Sequence, residues 1–214
     1  LRLALWFLAL GALLASLFAV FSAGASAAFV TVTGRLGFSA QGFEFVPGLD
    51  FVAVERDGVV ALVVIEQDEH GGALGGGVGE VHGAKLVGLL KRALRDRPQA
   101  VLLLAESGGV RLHEANAGLI AVSEVMRALL DVRAAGIPVI VLIGGANGCF
   151  GGMGIVARCA DWIVMSDVGR LAMSGPEVIE ASHGVDEFDS RDRALVWRTT
   201  GGKHRWLMGD CDQL

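Results

Sequence analysis

The sequence predicts an α/β domain in which parallel strands are covered by helices on both faces, and three observations lead to this prediction. Short apolar runs alternate with segments of helical period from residue 51 onwards. Residues 100–105 and 139–143 contain no polar side chain, which is typical of strands buried on both faces. Glycine-containing loops separate the segments, and the chain has 31 glycines among its 214 residues.

The first predicted elements are a hairpin and a helix. Two apolar runs flank Asp57-Gly58, a dipeptide that favours a tight hairpin turn. After a glycine-rich loop, apolar residues recur at helical spacing until Pro98, which ends the predicted helix. These elements cover residues 51–54 (strand), 59–65 (strand), 66–79 (loop) and 80–97 (helix).

The rest of the chain continues the alternation of helices and strands. A long helix ends at Gly136, and a shorter one carries Pro176 in its first turn, where proline is favoured. The predicted strands are residues 100–105, 139–143, 162–165 and 170–173. The predicted helices are residues 114–135, 153–159, 176–182 and 189–197, and the predicted loops are residues 106–109 and 144–152.

Residues 1–34 differ from the rest of the chain. Arg2 is the only charged residue before Arg35, and residues 3–21 are long and apolar enough to cross a bilayer. Small residues follow this run, so the pattern is typical of a signal peptide or a membrane segment. A buried hydrophobic helix and a start that is not native to the protein are the alternatives. Residues 35–50 are aperiodic, and we interpret them as a linker.

Charge and cysteine content exclude several classes of protein. The net charge is −5, and the lack of a polybasic block excludes nucleic-acid binding driven by phosphate contacts. The three cysteines, Cys149, Cys159 and Cys211, have neither the CxxC nor the Cys/His spacing of a zinc site. An odd number of cysteines is not a disulfide framework, so we expect a reducing compartment. Because the ligand spacing is lacking, we also expect no metal site.

Two glycine-containing loops follow buried strands and lead into helices. They are Ser107-Gly108-Gly109-Val110-Arg111 and Asn147-Gly148-Cys149-Phe150-Gly151-Gly152. Such turns expose backbone N–H groups at a helix N-terminus, where negative charge is stabilised. Two converging loops would form an anion or oxyanion pocket. The alternative is a pair of tight turns in which glycine supplies a positive φ.

Side chains near these loops give weaker indications. The chain has no P-loop, no nucleophile elbow and no zinc-binding histidine motif. Arg111 could hold a substrate carboxylate, or it could pair with Glu114 as part of the scaffold. A serine triad built on Ser107 is not expected, because no histidine lies in an obvious partner context.

Several stretches resemble the β subunits of biotin-independent malonate decarboxylases, which are related to the acyl-CoA carboxyltransferases. Residues 107–114 resemble the S-G-G-x-R-x-x-E element of the carboxyltransferases, and Gly151-Gly152 followed by Asp161 resembles their second glycine pair. The resemblance covers about residues 51–214. Its stretches are GEVHGAKLVGLL (79–90), SGGVRLHEANAGL (107–119), IGGANGCFGGMGIVARCADWIVMSD (143–167) and LAMSGPEVIEASHGVDEFDSRDRALVWRTTGGKH (171–204).

The resemblance implies a crotonase-like fold, which is a spiral of ββα units, and a cytoplasmic enzyme subunit. Its partner would be a homologous γ subunit, and the pair would decarboxylate malonyl attached to an acyl carrier protein. The malonyl group would be held on a phosphopantetheine-type arm derived from dephospho-CoA, with no cofactor bound in this chain. The products would be acetyl-carrier protein and CO2, and a separate subunit would reload the carrier with malonate.

The resemblance and the two loops together suggest a mechanism. Loss of CO2 from a malonyl thioester leaves an enolate, whose charge resides on the thioester oxygen. Backbone N–H groups directed at that oxygen would stabilise the charge. The expected donors are Gly108, Gly109, Gly151 and Gly152. The expected substrate-binding residues are Ser107, Arg111, Asn147 and Cys149.

The chain departs from the family's pattern at three places. Residues 1–46 do not resemble the family's N-terminal segment, the loop GGALGGGVGE is longer than its counterpart, and the chain stops at Leu214, where family members continue. We interpret residues 51–214 as a C-terminally truncated domain. Residues 1–34 would be a non-family extension or a mis-set start, and membrane association through residues 3–21 is the alternative.

Three other functions remain compatible with the sequence. They are a biotin-dependent acyl-CoA carboxyltransferase subunit, an inactive truncated scaffold and a membrane-anchored protein of unrelated function. A requirement for biotin separates the first of these from decarboxylation, and membrane fractionation separates the last.

Overall fold

A computed structural model of the chain describes residues 51–56, 59–65, 77–144 and 148–214. The membrane and linker interpretations of residues 1–50 lie outside the described residues. So do the hairpin turn at 57–58, the loop over 66–76 and the proposed substrate contact of Asn147.

The strands form two sheets, one large and mostly parallel and one small. In chain order they are β1 (Phe51–Arg56), β2 (Val59–Ile65), β3 (Ala100–Glu106), β4 (Val139–Ile143), β5 (Cys149–Phe150), β6 (Trp162–Met165) and β7 (Leu171–Ala172). Five of them form one sheet in the order β1-β2-β3-β4-β6, in which only β1 runs antiparallel to its neighbour. Strands β5 and β7 pair separately and in parallel.

Helices connect the parallel strands, which confirms the predicted α/β class. In chain order they are α1 (Glu80–Asp96), a 3-10 turn (Leu112–Glu114), α2 (Asn116–Ala134), α3 (Gly151–Arg158), α4 (Pro176–His183), α5 (Arg193–Thr200) and α6 (Gly202–Leu207). None of the helices in the described ranges is both long enough and apolar enough to cross a membrane.

Strand β3 lies in the middle of the large sheet, and all seven of its residues are buried. Alternate residues from Val101 onwards join a core with β4 and helices α1 to α3. Burial of a side chain such as Leu103 contributes about 1.5–3 kcal/mol. Helices α1 and α2 pack so closely that a Cβ on Gly83 would lie 2.6 Å from the Cβ of Ala121. The helix that follows the first glycine loop is therefore fixed against α1.

Asp161 joins the segment after α3 to the start of β4. Its carboxylate accepts hydrogen bonds from Arg133 Nε at 2.6 Å and from the backbone amide of Val139 at 2.9 Å. Arg133 also donates to the carbonyl of Cys159 at 2.7 Å. These bonds hold the beginning of β4, the strand that leads towards the second glycine loop.

Two helix boundaries differ from the prediction for local reasons. Leu112–Glu114 forms a separate turn, and Ala115, with a φ of 48°, interrupts the chain before α2 begins at Asn116 rather than at residue 114. The Asp192 carboxylate accepts a hydrogen bond from the amide of Leu195 at 3.1 Å, so this residue caps α5. The helix predicted over 189–197 is therefore displaced towards the C-terminus, and α6 was not predicted.

The predicted loop over residues 144–152 is partly regular. Cys149 pairs with Leu171 and Phe150 with Ala172, which forms β5, and helix α3 begins at Gly151 rather than at residue 153. A two-residue strand has too short an apolar pattern to be recognised from sequence.

Candidate functional site

The first glycine loop leaves the carboxyl end of β3 and is held by its own serine. Ser107 is fully buried, and its Oγ accepts a hydrogen bond from the amide of Gly109 at 3.1 Å. The same hydroxyl lies 3.4 Å from the carbonyl oxygen of Gly109. The side chain predicted to bind substrate therefore fixes the turn between β3 and the residues that follow.

The second glycine loop is bonded to the first through the main chain. The amide of Ser107 donates to the carbonyl of Gly148 at 2.8 Å, and the amide of Phe150 donates to the carbonyl of Ser107 at 2.9 Å. On its other side, the loop is bonded to the residue before β7, because the amide of Cys149 donates to the carbonyl of Arg170 at 2.8 Å. The two loops therefore converge, an arrangement that the sequence analysis left open beside that of two separate tight turns.

Gly109 and Gly151 lie against each other where the two loops meet. A Cβ on Gly109 would lie 3.1 Å from the carbonyl oxygen of Phe150 and 3.2 Å from the Cα of Gly151. A Cβ on Gly151 would lie 3.3 Å from the Cα of Gly109. Both residues have positive φ, 115° and 56°, which glycine adopts without the steric cost of a side chain. The tight contact and the positive φ therefore both favour glycine at the two positions.

The four glycine amides fall into two groups. The amide of Gly109 is bonded to Ser107 Oγ, and the amide of Gly151 donates to the carbonyl of Met173 at 3.1 Å. For Gly108 and Gly152, which are partly exposed, no acceptor is found among the residues that the structure describes. Gly152 lies in the first turn of α3, where amides have no partner within the helix. Two of the four predicted donors thus have no acceptor within the part of the chain that the structure describes.

Arg111 pairs with Glu114, one of the two roles that the sequence left open for it. Its Nη1 lies 3.6 Å from Glu114 Oε1, and its Nε donates to the carbonyl of Gly77 at 3.3 Å. Glu114 Oε2 in turn accepts from the amide of Glu80 at 2.5 Å, at the start of α1. A Cβ on Gly79 would collide with this carboxylate. Arg111 and Glu114 thus connect the first glycine loop to the N-terminus of α1.

Cys149, also predicted to contact substrate, belongs to the buried core. Burial raises the pKa of its thiol to about 12. The side chain is therefore neutral at physiological pH, and a neutral thiol is a poor nucleophile. No group of three or more His, Cys, Asp or Glu side chains in the described ranges is arranged to hold a metal ion.

Arg170 adjoins the second loop, and the sequence did not indicate it. Its Cζ lies 5.5 Å from the ring centre of Phe150 and 5.0 Å from that of Trp197. Half-burial lowers the pKa of the guanidinium, while the nearby carboxylates of Glu177 and Glu106 act in the opposite direction. Its ring neighbours are distant in sequence, so no spacing rule could have identified this cluster.

Comparison with known proteins gives three principal likenesses. Residues 55–199 match the carboxyl transferase domain family. The malonyl-S-ACP:biotin-protein carboxyltransferase MADC of Malonomonas rubra is 46% identical over 84% of this chain and 60% of the relative. A Pseudomonas malonate decarboxylase hetero-tetramer, solved in complex with malonate, contains a chain 40% identical with a TM-score of 0.67, over 76% of this chain and 59% of that one.

Two further structures extend the comparison. The Pseudomonas MdcD-MdcE hetero-dimer of malonate decarboxylase contains a chain 34% identical, with a TM-score of 0.65, over 82% of this chain and 73% of that one. The enoyl-CoA hydratase of Thermoplasma volcanium is 14% identical over 76% of this chain and 70% of that one, with a TM-score of 0.53. The likeness to this hydratase concerns the fold alone, and it confirms the crotonase-like architecture expected from the sequence.

This chain covers only part of the length of two of these relatives. The chain spans 60% of the Malonomonas relative and 59% of the Pseudomonas chain solved with malonate. The match over residues 55–199 nevertheless covers more than half of the chain. The chain therefore belongs to the carboxyl transferase family, and within that family it resembles malonate decarboxylase subunits.

Proposed function

We propose that the chain is one subunit of an enzyme that decarboxylates malonyl attached to an acyl carrier protein, forming acetyl-carrier protein and CO2. The observation that carries this proposal is the contact between Gly109 and Gly151. It brings together two loops whose neighbouring amides, those of Gly108 and Gly152, have no acceptor among the described residues.

The reaction needs stabilisation of a negative charge that moves as CO2 departs. The bond between the malonyl methylene carbon and the carboxylate breaks, and its electron pair becomes an enolate with charge on the thioester oxygen. In our proposal, the amides of Gly108 and Gly152 donate to that oxygen, and the N-terminus of α3 adds a favourable dipole. Loss of one such donor typically costs about 3–4 kcal/mol of transition-state stabilisation. A proton then adds to the carbon and completes the acetyl group.

The remaining glycines and side chains would support this arrangement without touching the enolate. Gly109 and Gly151 permit the close approach of the loops, and Ser107 holds the turn. Arg111 stays close enough to the first loop to orient a substrate carboxylate in addition to its pairing with Glu114.

We propose a homologous γ subunit and an acyl carrier protein as partners. The Pseudomonas relatives were solved as a hetero-dimer and a hetero-tetramer of malonate decarboxylase. The Malonomonas relative is named for a malonyl-carrier substrate. In our proposal the carrier's phosphopantetheine-type arm, derived from dephospho-CoA, brings the thioester to the two loops, and the complex is cytoplasmic.

A second candidate function is transfer of the carboxyl group from malonyl-carrier to a biotin protein. The name of the Malonomonas relative, which is 46% identical, favours it. Both reactions form the same enolate, so the proposed role of the glycine amides is unchanged. They differ in whether the carboxyl group is released as CO2 or accepted by biotin.

Substitution of Gly109 tests the role of the contact. Gly109→Val places a branched side chain against Phe150 and Gly151, so we expect CO2 release from malonyl-carrier by the assembled complex to fall at least about 100-fold. Gly184→Val is the matched control, because Gly184 also has a positive φ, 92°, but nothing lies within 4 Å of the point that its Cβ would occupy.

The assay is run on complexes that copurify with the candidate γ subunit and carrier, with and without a biotin protein. Release that is undiminished in Gly109→Val would refute the oxyanion assignment. Conversion of malonyl-carrier that requires the biotin protein and yields carboxybiotin in place of CO2 would favour the transfer reaction. Gly109→Ala provides a milder variant if the valine variant does not fold.

A further inference from the structure

A stack of cationic and aromatic side chains lies behind the second glycine loop. The guanidinium of Arg170 lies over the ring of Phe150, 5.5 Å from its centre, and over the ring of Trp197, 5.0 Å from its centre. Arg193 contacts Trp197 as well, at 5.2 Å from the ring centre. Phe150 is the residue immediately before Gly151-Gly152, so the stack ends at the first turn of α3.

The backbone of Arg170 is bonded to the same loop. Its carbonyl accepts from the amide of Cys149 at 2.8 Å, and a Cβ on Gly148 would lie 2.9 Å from that oxygen. On its other side, Arg170 pairs with Gly201 at the junction of α5 and α6. Arg170 thus connects the second glycine loop to the C-terminal helices through both its main chain and its side chain.

We infer that Arg170 is a positioning residue for the reaction, and this inference rests on the proposed function. By holding the ring of Phe150, its guanidinium fixes the orientation of the α3 N-terminus and hence of the Gly152 amide. It acts through Phe150 and contacts no reacting atom. A rotation of this turn would move the amide away from the developing negative charge, which a donor must face at hydrogen-bond distance.

The chemistry of the position favours arginine over lysine. A planar guanidinium stacks on two aromatic rings at once, whereas an ammonium group is a compact, strongly hydrated charge. The carboxylates of Glu177 and Glu106 lie near enough to act electrostatically on the half-buried cation, and they offset part of the cost of its burial.

Arg193 provides a matched control within the same stack. It carries the same charge and contacts Trp197, but its stacking partner is that ring and not Phe150. Loss of Arg193 removes one cation–π contact from α5 and leaves the contact between Arg170 and Phe150 in place. If the stack acted on stability alone, loss of either arginine would leave the kcat of the folded complex unchanged.

The test compares Arg170→Gln, Arg170→Lys and Arg193→Gln in the complex of the full chain with its partner subunit and carrier. For Arg170→Gln we expect kcat for malonyl-carrier decarboxylation to fall about 10- to 100-fold while KM stays within about twofold, because only transition-state stabilisation is lost. For Arg170→Lys we expect a kcat between that of Arg170→Gln and that of the wild type. Arg193→Gln keeps the wild-type kcat.

Hydrogen exchange gives a readout that does not depend on activity. Amides of residues 149–154 should exchange faster in Arg170→Gln than in the wild type or in Arg193→Gln. Unchanged exchange there, or a kcat equal to that of Arg193→Gln, overturns the inference. If the wild-type complex is itself inactive, the proposed function fails, and the exchange data alone decide whether Arg170 positions the loop. If Arg170→Gln does not fold, Arg170→Lys takes its place in both the kcat and the hydrogen-exchange comparisons.

Discussion

Several polar side chains around the two glycine loops act on the main chain. Ser107 Oγ accepts from the amide of Gly109, and Asp161 accepts from the amide of Val139. Glu114 does the same for the amide of Glu80. Each of these bonds satisfies a backbone donor at a point where the chain turns or where an element begins, so the chain positions its loops by local hydrogen bonds.

Cys149 gives a testable dependence of stability on pH. Burial raises the pKa of its thiol to about 12, so the folded chain keeps this proton in a range where the unfolded chain, with an ordinary thiol pKa of about 8.5, loses it. Its contribution to stability is therefore complete below about pH 8.5 and is lost as the pH rises towards 12. Cys149→Ala should weaken this alkaline loss.

Urea unfolding between about pH 8 and pH 11 measures the effect. The alanine variant starts from a lower stability, since it leaves a small cavity, but its stability should change less with pH than that of the wild type. Identical pH dependence of the two proteins would contradict the prediction.

Asp161 should contribute more to stability than an exposed carboxylate. Asp161→Asn replaces the charged acceptor of Arg133 and Val139, so we expect a loss of about 1–2 kcal/mol in the free energy of unfolding. The control is Asp167→Asn, whose carboxylate lies 3.8 Å from Lys203 with both side chains exposed. That variant should lose less than about 0.5 kcal/mol. Equal losses in chemical denaturation would count against the prediction.

At the scale of elements, helices α1 and α2 are matched to each other by small residues. Gly83 of α1 faces Ala121 of α2 at a distance that leaves no space for a side chain. The N-cap of α1 is Gly79, which has no side chain to accept a hydrogen bond, and the carboxylate of Glu114 supplies the missing acceptor. The helix pair and the segment after the first glycine loop therefore form one unit.

Two glycines of α1 should respond in opposite ways to the same substitution. Gly88→Ala should raise the free energy of unfolding by about 0.5–1 kcal/mol, because alanine favours the helix and nothing lies within 4 Å of the new methyl group. Gly83→Ala should lower it by about 1–3 kcal/mol, because the methyl group would lie 2.6 Å from Ala121. Urea denaturation measures both, and the reverse order would refute the packing described for α1 and α2.

At the scale of the whole molecule, the sequence predicted the sheet well. Residues 100–105 of β3 and all of β4 are continuous apolar runs, which is why both were predicted as strands buried on both faces. The sequence indicated a glycine-containing loop after each of them but left open whether the two loops converge. Which amides remain available did not follow, because that depends on acceptors such as Met173, which lies far along the chain. The stack around Arg170 was missed for the same reason.

The extent of the domain remains a proposal that deletion can test. We propose that residues 51–214 form the carboxyl transferase domain and that residues 1–34 lie outside it, since the family match covers 55–199. Removal of residues 1–34 should leave the thermal unfolding midpoint and copurification with the partner subunit unchanged. A lower midpoint or loss of the partner would show that the apolar segment is part of the fold.

The contact between Gly109 and Gly151 has a consequence for how such proteins diverge. Because the loops meet through main-chain atoms, the character that has to be inherited at these positions is the lack of a side chain. Nearby side chains can be exchanged over many generations while the loops stay together, whereas one added methyl group at either glycine would push them apart. Divergent lineages should therefore retain these two glycines long after the surrounding sequence has changed.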